Sequence, residues 1–429
     1  MTDKKNKNKV TRRKFIATGA VASAAIAGFP FVNTSRAQNV PPLKIGVIGC
    51  GGRGTGAADN ALTASKNIHL IALADPFQDR IDRCLETLTN PKRRKGPLQG
   101  VEVKKDHIFT GLDCGKKLLE TDVDYVCLTG PPGFRPQNFE DAVEAGKHVF
   151  MEKPVATDPV GVRKILKTAK KAKEKGLSVV VGFDNRHSLA ARETIKRIHG
   201  GWIGDVLSAR SYFNTGTLWH RGEDPSWTEM EYQCRNWYYY CWLSGDHIVE
   251  QHIHTIDLMN WALGSYPIRA IGVGGRQVRT EPKWGNIYDH FVIDYEFPND
   301  VHVMSMSRQW QNCDNKGGGL MVGTIGKSDA SREITGPNSW KFKGEMVTPK
   351  VYEHFELIES IRNGNPMAQA DIGAYSTLTA IMGRESAYTG KTITWDEILN
   401  SDLDLLPKKL EFGPAPKRTV PIPGQPRPL

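Results

Sequence analysis

Short apolar runs alternate with amphipathic stretches over the first half of the chain. The apolar runs predict buried parallel strands and cover residues 45–48, 68–74, 125–128, 148–151 and 178–182. The stretches with apolar residues at helical spacing cover residues 78–88, 114–120, 136–145 and 160–175. Such alternation predicts an α/β domain with a doubly wound parallel sheet, and we assign it to residues 38–183.

The pattern changes after residue 183. A helical stretch over 189–199 leads to longer runs in which apolar and polar residues alternate, at 206–213, 270–278, 290–297 and 301–310. These runs predict a second, α+β domain over 184–412 with a large, mostly antiparallel sheet. Two later helices, predicted at 351–363 and 372–389, are expected to cover that sheet. The proline-rich tail, 413–429, is expected to be an extended arm or disordered.

The first predicted strand runs into a glycine-rich turn. Gly49, Gly51 and Gly54 have the spacing G-x-G-x-x-G, directly before a predicted helix. This spacing allows a tight turn, a close backbone approach to a pyrophosphate and an anion site at the helix N-terminus. The turn therefore predicts dinucleotide binding by a Rossmann domain. Its expected cofactor contacts also include Gly52 and Arg53.

The second predicted strand ends in Asp75, where a Rossmann domain places the acidic residue that hydrogen-bonds a ribose 2′-hydroxyl. A glycine-rich surface turn would not account for this residue. Because Asp75 would repel a 2′-phosphate, NAD is favoured over NADP. Arg80, five positions later, could offset part of that repulsion.

Two further strand ends carry candidate cofactor contacts. Thr129 and Pro131 follow one strand, and Glu152 and Lys153 follow the next, within Glu-Lys-Pro. Ligands of open α/β sheets bind at the carboxyl ends of the strands, so these residues are expected in the cofactor crevice. Lys153 would lie close to the nicotinamide, although an ordinary strand-end salt bridge is an equal alternative for it.

An aromatic segment follows in the second domain. Residues 216–243 hold eight Trp or Tyr residues: Trp219, Trp227, Tyr232, Trp237, Tyr238, Tyr239, Tyr240 and Trp242. Flat amphipathic rings in a polar segment are typical of a sugar-binding wall, and an oligomer interface is the alternative. Arg235 and Trp237 of this segment are candidate substrate contacts.

The next segment, 245–261, reads as a helix with one buried side. Glu250, His254 and Asp257 are spaced i, i+4, i+7 and would share one face. A carboxylate beside an imidazole raises its basicity, which suits removal of a hydroxyl proton. Two alternatives stay open: a metal site that also uses His252, which we do not favour, and a structural histidine in a buried polar network.

The N-terminus resembles a targeting segment. Lysines precede Thr-Arg-Arg-Lys-Phe-Ile at 11–16, a mildly apolar Ala/Gly-rich run follows, and small residues near 35–37 offer a cleavage site. This pattern predicts a twin-arginine signal over 1–37 and export to the periplasm, with a retained anchor as the alternative. No later stretch is apolar and long enough to cross a bilayer.

Charge and cysteine content exclude other classes of function. The chain has 57 basic and 47 acidic residues, but the first 37 residues hold eight of the bases and one acid. The remainder, with 49 basic and 46 acidic residues, gives no reason to expect a nucleic-acid partner. Seven scattered cysteines without C-x-x-C indicate neither a zinc site nor a disulfide framework, and whether Cys234 pairs with Cys241 stays open.

Taken together, the glycine-rich turn, Asp75, Glu152-Lys153-Pro154 and the Glu250 to Asp257 segment resemble the Gfo/Idh/MocA oxidoreductases over residues 43–405. By that resemblance Lys153 holds the reacting hydroxyl, His254 is the acid/base, and Asp257 occupies the last position of the family's D-x-x-x-H-x-x-D motif. Members pass a hydride from a sugar or cyclitol to nicotinamide.

The chain departs from that motif at two positions. Glu250 replaces the first aspartate, and His252 replaces a glycine and is expected to crowd or contact the substrate. The exported branch that the chain resembles also includes NAD-using glycosidases. We therefore expect an oxidoreductase with tightly bound NAD that acts on a sugar, glycoside or cyclitol, and a homo-oligomer. A glycosidase that uses the same first step and a non-catalytic sugar-binding protein are the alternatives.

Overall fold

The computed structural model describes residues 41–94, 99–415 and 419–426. The signal segment predicted over residues 1–37 lies outside these ranges. All of the predicted site residues lie within them.

The first domain is built on a six-stranded parallel sheet in the order β3-β2-β1-β4-β5-β6. Its strands are β1 (Leu43–Ile48), β2 (Ile68–Ala74), β3 (Ile108–Phe109), β4 (Tyr125–Leu128), β5 (His148–Met151) and β6 (Val179–Val181). This is the doubly wound Rossmann sheet that the apolar runs predicted. Only β3 was missed, because two residues are too short to show a pattern.

Five helices connect these strands: α1 (Gly52–Ala64), α2 (Gln78–Thr89), α3 (Cys114–Leu119), α4 (Arg135–Glu144) and α5 (Pro159–Glu174). The bounds of α2 to α5 agree with the predicted helices within one residue, and α1 is the helix predicted, without bounds, after the glycine-rich turn. Helix α5 begins after Asp158, whose carboxylate accepts a hydrogen bond from the Gly161 N–H. Helix α1 begins directly behind the glycine-rich turn.

Helix α6 (Leu189–His199) leads into the second domain and its nine-stranded sheet, ordered β14-β13-β12-β11-β7-β10-β9-β8-β15. The strands are β7 (Val206–Thr215), β8 (Arg269–Gly275), β9 (His290–Phe297), β10 (Val301–Gln309), β11 (Lys316–Gly323), β12 (Lys327–Ser328), β13 (Glu333–Thr335), β14 (Trp340–Lys341) and β15 (Ile393–Thr394). Strands β7 and β10 pair in parallel and the other pairs are antiparallel, so the mostly antiparallel sheet is confirmed. Strands β11 to β15 were missed because they are glycine-rich or very short.

The remaining helices are α7 (Glu229–Arg235), α8 (Cys241–Ser244), α9 (His247–Glu250), α10 (Ile253–Leu263), α11 (Pro349–Arg362), α12 (Ala370–Thr389) and α13 (Trp395–Asn400). Helix α12 packs on β8 and β9, as predicted, and also on α5.

Helix α11 does not cover the second sheet, so that prediction was wrong. It packs on α1 of the nucleotide domain, where Leu357 and Ile358 join the apolar core that includes β1. The following segment reaches the free edge of β6, where Val179 and Ala368 form a parallel bridge. Packing there removes the apolar side chains of Leu357 and Ile358 from water.

The described part of the C-terminal tail packs on the second domain. Gly424 N–H donates to the Thr389 carbonyl at 3.1 Å, and the Tyr288 hydroxyl donates to the Pro421 carbonyl at 2.8 Å. Within this part the Gln425 N–H donates to the Ile422 carbonyl at 3.1 Å, so the tail includes a turn and is not extended throughout.

One face of the second sheet remains open. Ile271, Val273 and Met304 are 56%, 67% and 40% exposed there. In the part of the chain that the structure describes, no helix combines the length and apolar character needed to span a membrane.

Candidate functional site

The glycine-rich turn is closed on one side and open on the other. Gly49 has φ +101°, and a Cβ there would lie 2.4 Å from Gly130 N, while a Cβ on Gly54 would lie 1.8 Å from the Gly49 carbonyl oxygen. At Gly51 and Gly52 a Cβ would meet nothing within 4 Å. No side chain caps α1. The open side thus leaves the helix N-terminus free for a pyrophosphate.

Asp75 lies at the end of β2, beside this turn. Its carboxylate accepts hydrogen bonds from the Cys50 N–H at 2.8 Å and the Phe77 N–H at 3.0 Å. Burial raises the pKa of Asp75 to about 6, although both N–H groups and the Arg80 charge act to lower it. Each carboxylate oxygen keeps further acceptor capacity, so the ionised group fits ribose hydroxyls.

Thr129 and Arg53, two predicted cofactor contacts, have partners within the protein. The Thr129 hydroxyl lies 2.7 Å from the Gly49 carbonyl oxygen and braces the glycine-rich turn. Arg53 donates through Nε to Glu152 and through Nη2 to Glu353 at 3.1 Å. Arg53 and Glu152 therefore form a charge network beneath the crevice. Pro131 follows β4 at the same sheet edge.

Lys153 meets Glu250 across the cleft between the two domains. The Lys153 ammonium donates to Glu250 Oε1 at 2.9 Å and also to the Glu250 backbone carbonyl. Both side chains are largely buried. The pair brings together two of the predicted catalytic residues from segments about one hundred residues apart.

Asp246 starts the helix that carries Glu250. It has φ +73°, and its buried carboxylate accepts hydrogen bonds from the Tyr288 N–H at 2.7 Å and the Tyr388 hydroxyl at 2.5 Å. These contacts fix the entry of α9 to the second sheet and to α12. Sequence reasoning missed this role because Asp246 precedes the motif.

The predicted continuous helix over 245–261 is instead broken at Gln251 and His252. The His252 N–H donates to the His247 carbonyl, five residues earlier, at 3.1 Å. This wider turn ends α9 and starts α10. As a result Glu250, His254 and Asp257 do not form one helical face.

His254 faces Asp184 rather than Glu250 or Asp257. His254 Nδ1 lies 3.4 Å from Asp184 Oδ1. Burial would raise the pKa of Asp184, but the His254 imidazole and the Lys350 ammonium lower it to about 2. An ionised Asp184 favours the Nδ1–H tautomer of His254 and leaves Nε2 as the base. Asp184 was missed, although it follows β6 at the strand end where ligands bind.

Asp257 lies in a buried ion pair. Its carboxylate accepts two hydrogen bonds from Arg186, at 2.8 and 2.9 Å, and one from the Ser376 hydroxyl at 2.7 Å. Because Arg186 is two residues from Asp184, this pair anchors the segment that holds Asp184 against His254. Asp257 thus positions the segment that carries Asp184. It does not contact His254 directly, contrary to what the spacing predicted.

His252 is fully buried, which corrects the expected substrate contact. His252 Nε2 lies 2.6 Å from Ser305 Oγ on β10, and Nδ1 lies 3.0 Å from Thr255 Oγ1. Burial, together with the His247 charge, lowers the pKa of His252 to about 3. The break between α9 and α10 turns this imidazole into the sheet.

The aromatic segment divides into two groups. Tyr238, Tyr239, Tyr240 and Trp242 are core residues, whereas Trp219, Trp227, Tyr232 and Trp237 are half-buried. Trp219 and Trp237 meet edge to face, with centroids 6.1 Å apart, and both contact Tyr238. A wall of eight rings is therefore wrong, but a smaller pair of rings is available to a ligand.

That aromatic pair is tied to the broken helix. Gln309 Nε2 donates to the Tyr238 hydroxyl at 2.7 Å and to Gln251 Oε1 at 2.8 Å. The Trp219 and Trp237 rings are thus held next to the turn between Glu250 and His254.

Arg235 lies away from this pair, which corrects its assignment as a substrate contact. It donates to Glu231 Oε1 at 2.8 Å and to Asp79 Oδ1 of the nucleotide domain at 3.0 Å. Its guanidinium lies over the ring of Phe77. Arg235 therefore borders the Asp75 end of the cofactor crevice.

Neither a metal centre nor a disulfide is formed by the described residues. They contain no group of three His, Cys, Asp or Glu arranged to hold a metal ion. All seven cysteines, which include Cys234 and Cys241, are free thiols.

Two family models match the chain. The family model described as "Oxidoreductase family, NAD-binding Rossmann fold" matches residues 43–183, and that of the "GFO/IDH/MocA C-terminal domain" matches residues 191–326. One similar structure is that of aldose-aldose oxidoreductase from Caulobacter crescentus, with a TM-score of 0.64 and 18% identity over 82% of this chain and 99% of that one.

Three curated relatives represent different activities. The chain is 26% identical to 2,7-anhydro-N-acetylneuraminate hydratase of Escherichia coli over 58% of this chain and 62% of the relative. It is 23% identical to D-glucoside 3-dehydrogenase of Escherichia coli over 55% of this chain and 58% of the relative. It is 22% identical to alpha-N-acetylgalactosaminidase of Shewanella oneidensis over 50% of this chain and 48% of the relative. The chain thus spans only about half to three-fifths of these relatives' length. On the two family models and the shared fold, the chain belongs to the Gfo/Idh/MocA family of oxidoreductases with an NAD-binding Rossmann fold.

Proposed function

We propose that this protein is an NAD-dependent oxidoreductase that oxidises a hydroxyl group of a sugar, glycoside or cyclitol. The proposal is carried by two pairs, Lys153 with Glu250 and Asp184 with His254. Lys153 and Asp184 follow the neighbouring parallel strands β5 and β6, and Glu250 and His254 lie on the consecutive helices α9 and α10. The cleft holds a cation that can hydrogen-bond a hydroxyl oxygen and an imidazole that can take its proton. Sugar and inositol dehydrogenases among the relatives are consistent with such a substrate.

The chain's own residues divide the proton chemistry. Lys153 donates a hydrogen bond to the reacting oxygen and stabilises the negative charge that develops there. His254 accepts the hydroxyl proton at Nε2, and ionised Asp184 stabilises the imidazolium that results. Glu250 holds the Lys153 ammonium in place. Bound NAD supplies the hydride acceptor.

The crevice favours NAD over NADP in this proposal. The backbone at Gly51 and Gly52 would hold the pyrophosphate, and Asp75 would accept hydrogen bonds from the adenosine ribose. Above its pKa of about 6 the Asp75 carboxylate would repel a 2′-phosphate. Arg80 is the charge available to offset that repulsion.

The half-buried Trp219 and Trp237 favour a carbohydrate substrate. Their rings can stack on the apolar face of a sugar while polar groups bind its hydroxyls. Because Gln309 links Tyr238 to the turn at Gln251, a sugar on these rings would lie near Lys153.

The central test is the Lys153→Met variant, assayed for reduction of bound NAD by a panel of sugars and glycosides. We expect reduction to fall by about 10²-fold or more while NAD binding is retained. Lys164→Met, which removes a lysine paired with Glu140 on the surface, is the matched control. Equal NADH formation by Lys153→Met and the wild type would remove Lys153 from the mechanism.

A redox-neutral glycosidase is the second candidate, favoured by the hydratase and the alpha-N-acetylgalactosaminidase among the relatives. It would use the same oxidation to a ketone, remove the acidified C–H proton and expel the aglycone as an alcohol. Water would then add to the resulting double bond, and the hydride taken up in the first step would reduce the ketone. Incubation with nitrophenyl glycosides separates the two. Nitrophenol in large excess over protein indicates the glycosidase, and one stoichiometric rise in NADH indicates a dehydrogenase. If nitrophenol release and NADH formation are both absent, the result favours a non-catalytic sugar-binding protein.

We also propose export through the twin-arginine pathway, on the Arg12-Arg13 pair and the apolar run after it. Replacing both arginines with lysine should keep the protein in the cytoplasm of a bacterial host, and unchanged export would reject the signal. An exported enzyme would need to keep its cofactor, since free NAD is scarce outside the cytoplasm.

A further inference from the structure

The turn after Asp75 is covered by the second domain. The Phe77 N–H donates to Asp75 Oδ1 at 3.0 Å, and Asp79 is the second residue of α2. Asp75 is the position that takes the adenosine ribose in a Rossmann domain, so the turn from Phe77 to Asp79 borders the adenosine end of the site. Residues that cover this turn therefore restrict opening of the adenosine end of the dinucleotide site.

Arg235, the last residue of α7, spans the two domains at this turn. Its guanidinium carbon lies 4.0 Å from the ring centroid of Phe77 and 4.7 Å from that of Trp227. The same guanidinium donates to Asp79 Oδ1 at 3.0 Å and, from the other side, its Nε donates to Glu231. With only 13% of its side chain exposed, Arg235 is fixed by rings and carboxylates from both domains.

Phe412 and Gly413, at the junction between the second domain and the C-terminal tail, reinforce this contact. The ring of Phe412 lies 5.9 Å from the ring of Phe77, centroid to centroid. The neighbouring Gly413 carbonyl accepts a hydrogen bond from the Met230 N–H of α7 at 3.0 Å. Cys234, the neighbour of Arg235 in α7, also lies close to Asp75. Burial raises the pKa of its thiol to about 12, and the Asp75 charge contributes to that rise.

We propose that Arg235, Trp227 and Phe412 form a clasp over the Phe77 to Asp79 turn that slows release of the bound dinucleotide. The proposal rests on the nicotinamide cofactor of the proposed function, but not on any particular sugar. Exchange of the cofactor at its adenosine end requires the Arg235–Asp79 ion pair and the ring contacts to open. The clasp would therefore let the enzyme retain NAD between turnovers.

The test measures dissociation of radiolabelled NAD from preloaded protein after addition of excess unlabelled NAD, without any sugar. We expect Arg235→Ala to release NAD roughly tenfold faster than the wild type, from the loss of a cation–π contact and an ion pair. Phe412→Ala should accelerate release less. Because Phe412 lies outside α7, that variant tests the clasp even where Arg235→Ala fails to fold.

Arg93→Ala is the matched control, since it breaks an exposed ion pair with Glu86 of α2, 3.1 Å long, that does not reach the second domain. Its NAD release should stay within about twofold of the wild type. Wild-type release rates in both Arg235→Ala and Phe412→Ala, with faster release from Asp75→Ala, would overturn the clasp alone. A wild-type protein that binds neither NAD nor NADP would overturn the proposed function and the clasp together.

Discussion

The Lys153 ammonium lies 2.9 Å from Glu250 Oε1, so a cation of the nucleotide domain is held by a carboxylate of the second domain. Removing that charge with Glu250→Gln should lower the rate of NAD reduction by about 10- to 100-fold, because Lys153 loses the partner that orients it. Glu250→Asp should lose less, since it keeps the charge. Single-turnover NADH formation measures both, and equal rates in the Gln variant and the wild type would contradict this role.

Asp184 should contribute to stability only above acidic pH. The pKa of this carboxyl falls from 3.8 to about 2 on folding, so its stabilisation is present above pH 3.8 and is lost as the pH falls through about 2. Between pH 6 and pH 2 the free energy of unfolding should fall in both proteins, but it should fall by about 1–2 kcal/mol less in Asp184→Asn than in the wild type. This figure allows for solvent screening of the Asp184 side chain, which is 31% exposed. Urea unfolding across this pH range measures the difference. Parallel pH profiles for variant and wild type would contradict the pairing with His254.

Asp75 should make NAD affinity depend on pH. Its pKa of about 6 means that the carboxylate is neutral at pH 5 and ionised at pH 7. Because an ionised carboxylate is the stronger acceptor for ribose hydroxyls, the Kd for NAD should rise several-fold, up to about tenfold, from pH 7 to pH 5. The preference for NAD over NADP should narrow over the same range. Calorimetric titration measures both, and Asp75→Asn should remove the pH dependence.

His252 should matter for stability and not for substrate affinity. His252→Ala leaves a cavity and removes the partner of Ser305 and Thr255, so it should lower the free energy of unfolding by about 2–4 kcal/mol. The KM for the sugar should stay within about twofold of the wild type. Urea unfolding and steady-state kinetics are the two measurements. A stable variant with a much higher KM would restore the substrate contact that the motif suggested.

The open face of the second sheet should pair with another copy of the chain. Val273, 67% exposed at the centre of β8, lies on the same face as Met304 and Ile271. Val273→Lys should shift the mass measured by light scattering to that of a smaller assembly. Met346→Lys, which changes an exposed apolar residue outside the sheet, is the control. A wild-type monomer would refute the homo-oligomer.

Sequence reasoning found the parts of the site that follow from strand ends. Asp75, Thr129 and Lys153 each come within two residues of the end of a buried strand, and parallel topology alone brings such residues to one edge. The same argument would have found Asp184 after β6. Its role was missed because its partner His254 lies seventy residues later in the chain, and only tertiary structure brings the two together.

Helical spacing failed where the helix is not continuous. The residue pattern does not reveal the wider turn at His252. That turn is held by the hydrogen bond from the His252 N–H to the His247 carbonyl and by the contact of the His252 imidazole with Ser305 on β10. Asp257 likewise faces Arg186, a partner seventy-one residues away whose position depends on tertiary structure. The course of α11 back to the nucleotide domain depends on long-range packing in the same way.

That return of α11 has a consequence for how the protein is made. Leu357 and Ile358 complete the core around α1 and β1, so residues 43–183 cannot finish folding as they leave the ribosome. The core around α1 is complete only after α11 has been synthesised. A nascent chain therefore exposes apolar surface on α1 until α11 has emerged, and a protein shortened before residue 349 would keep that surface bare.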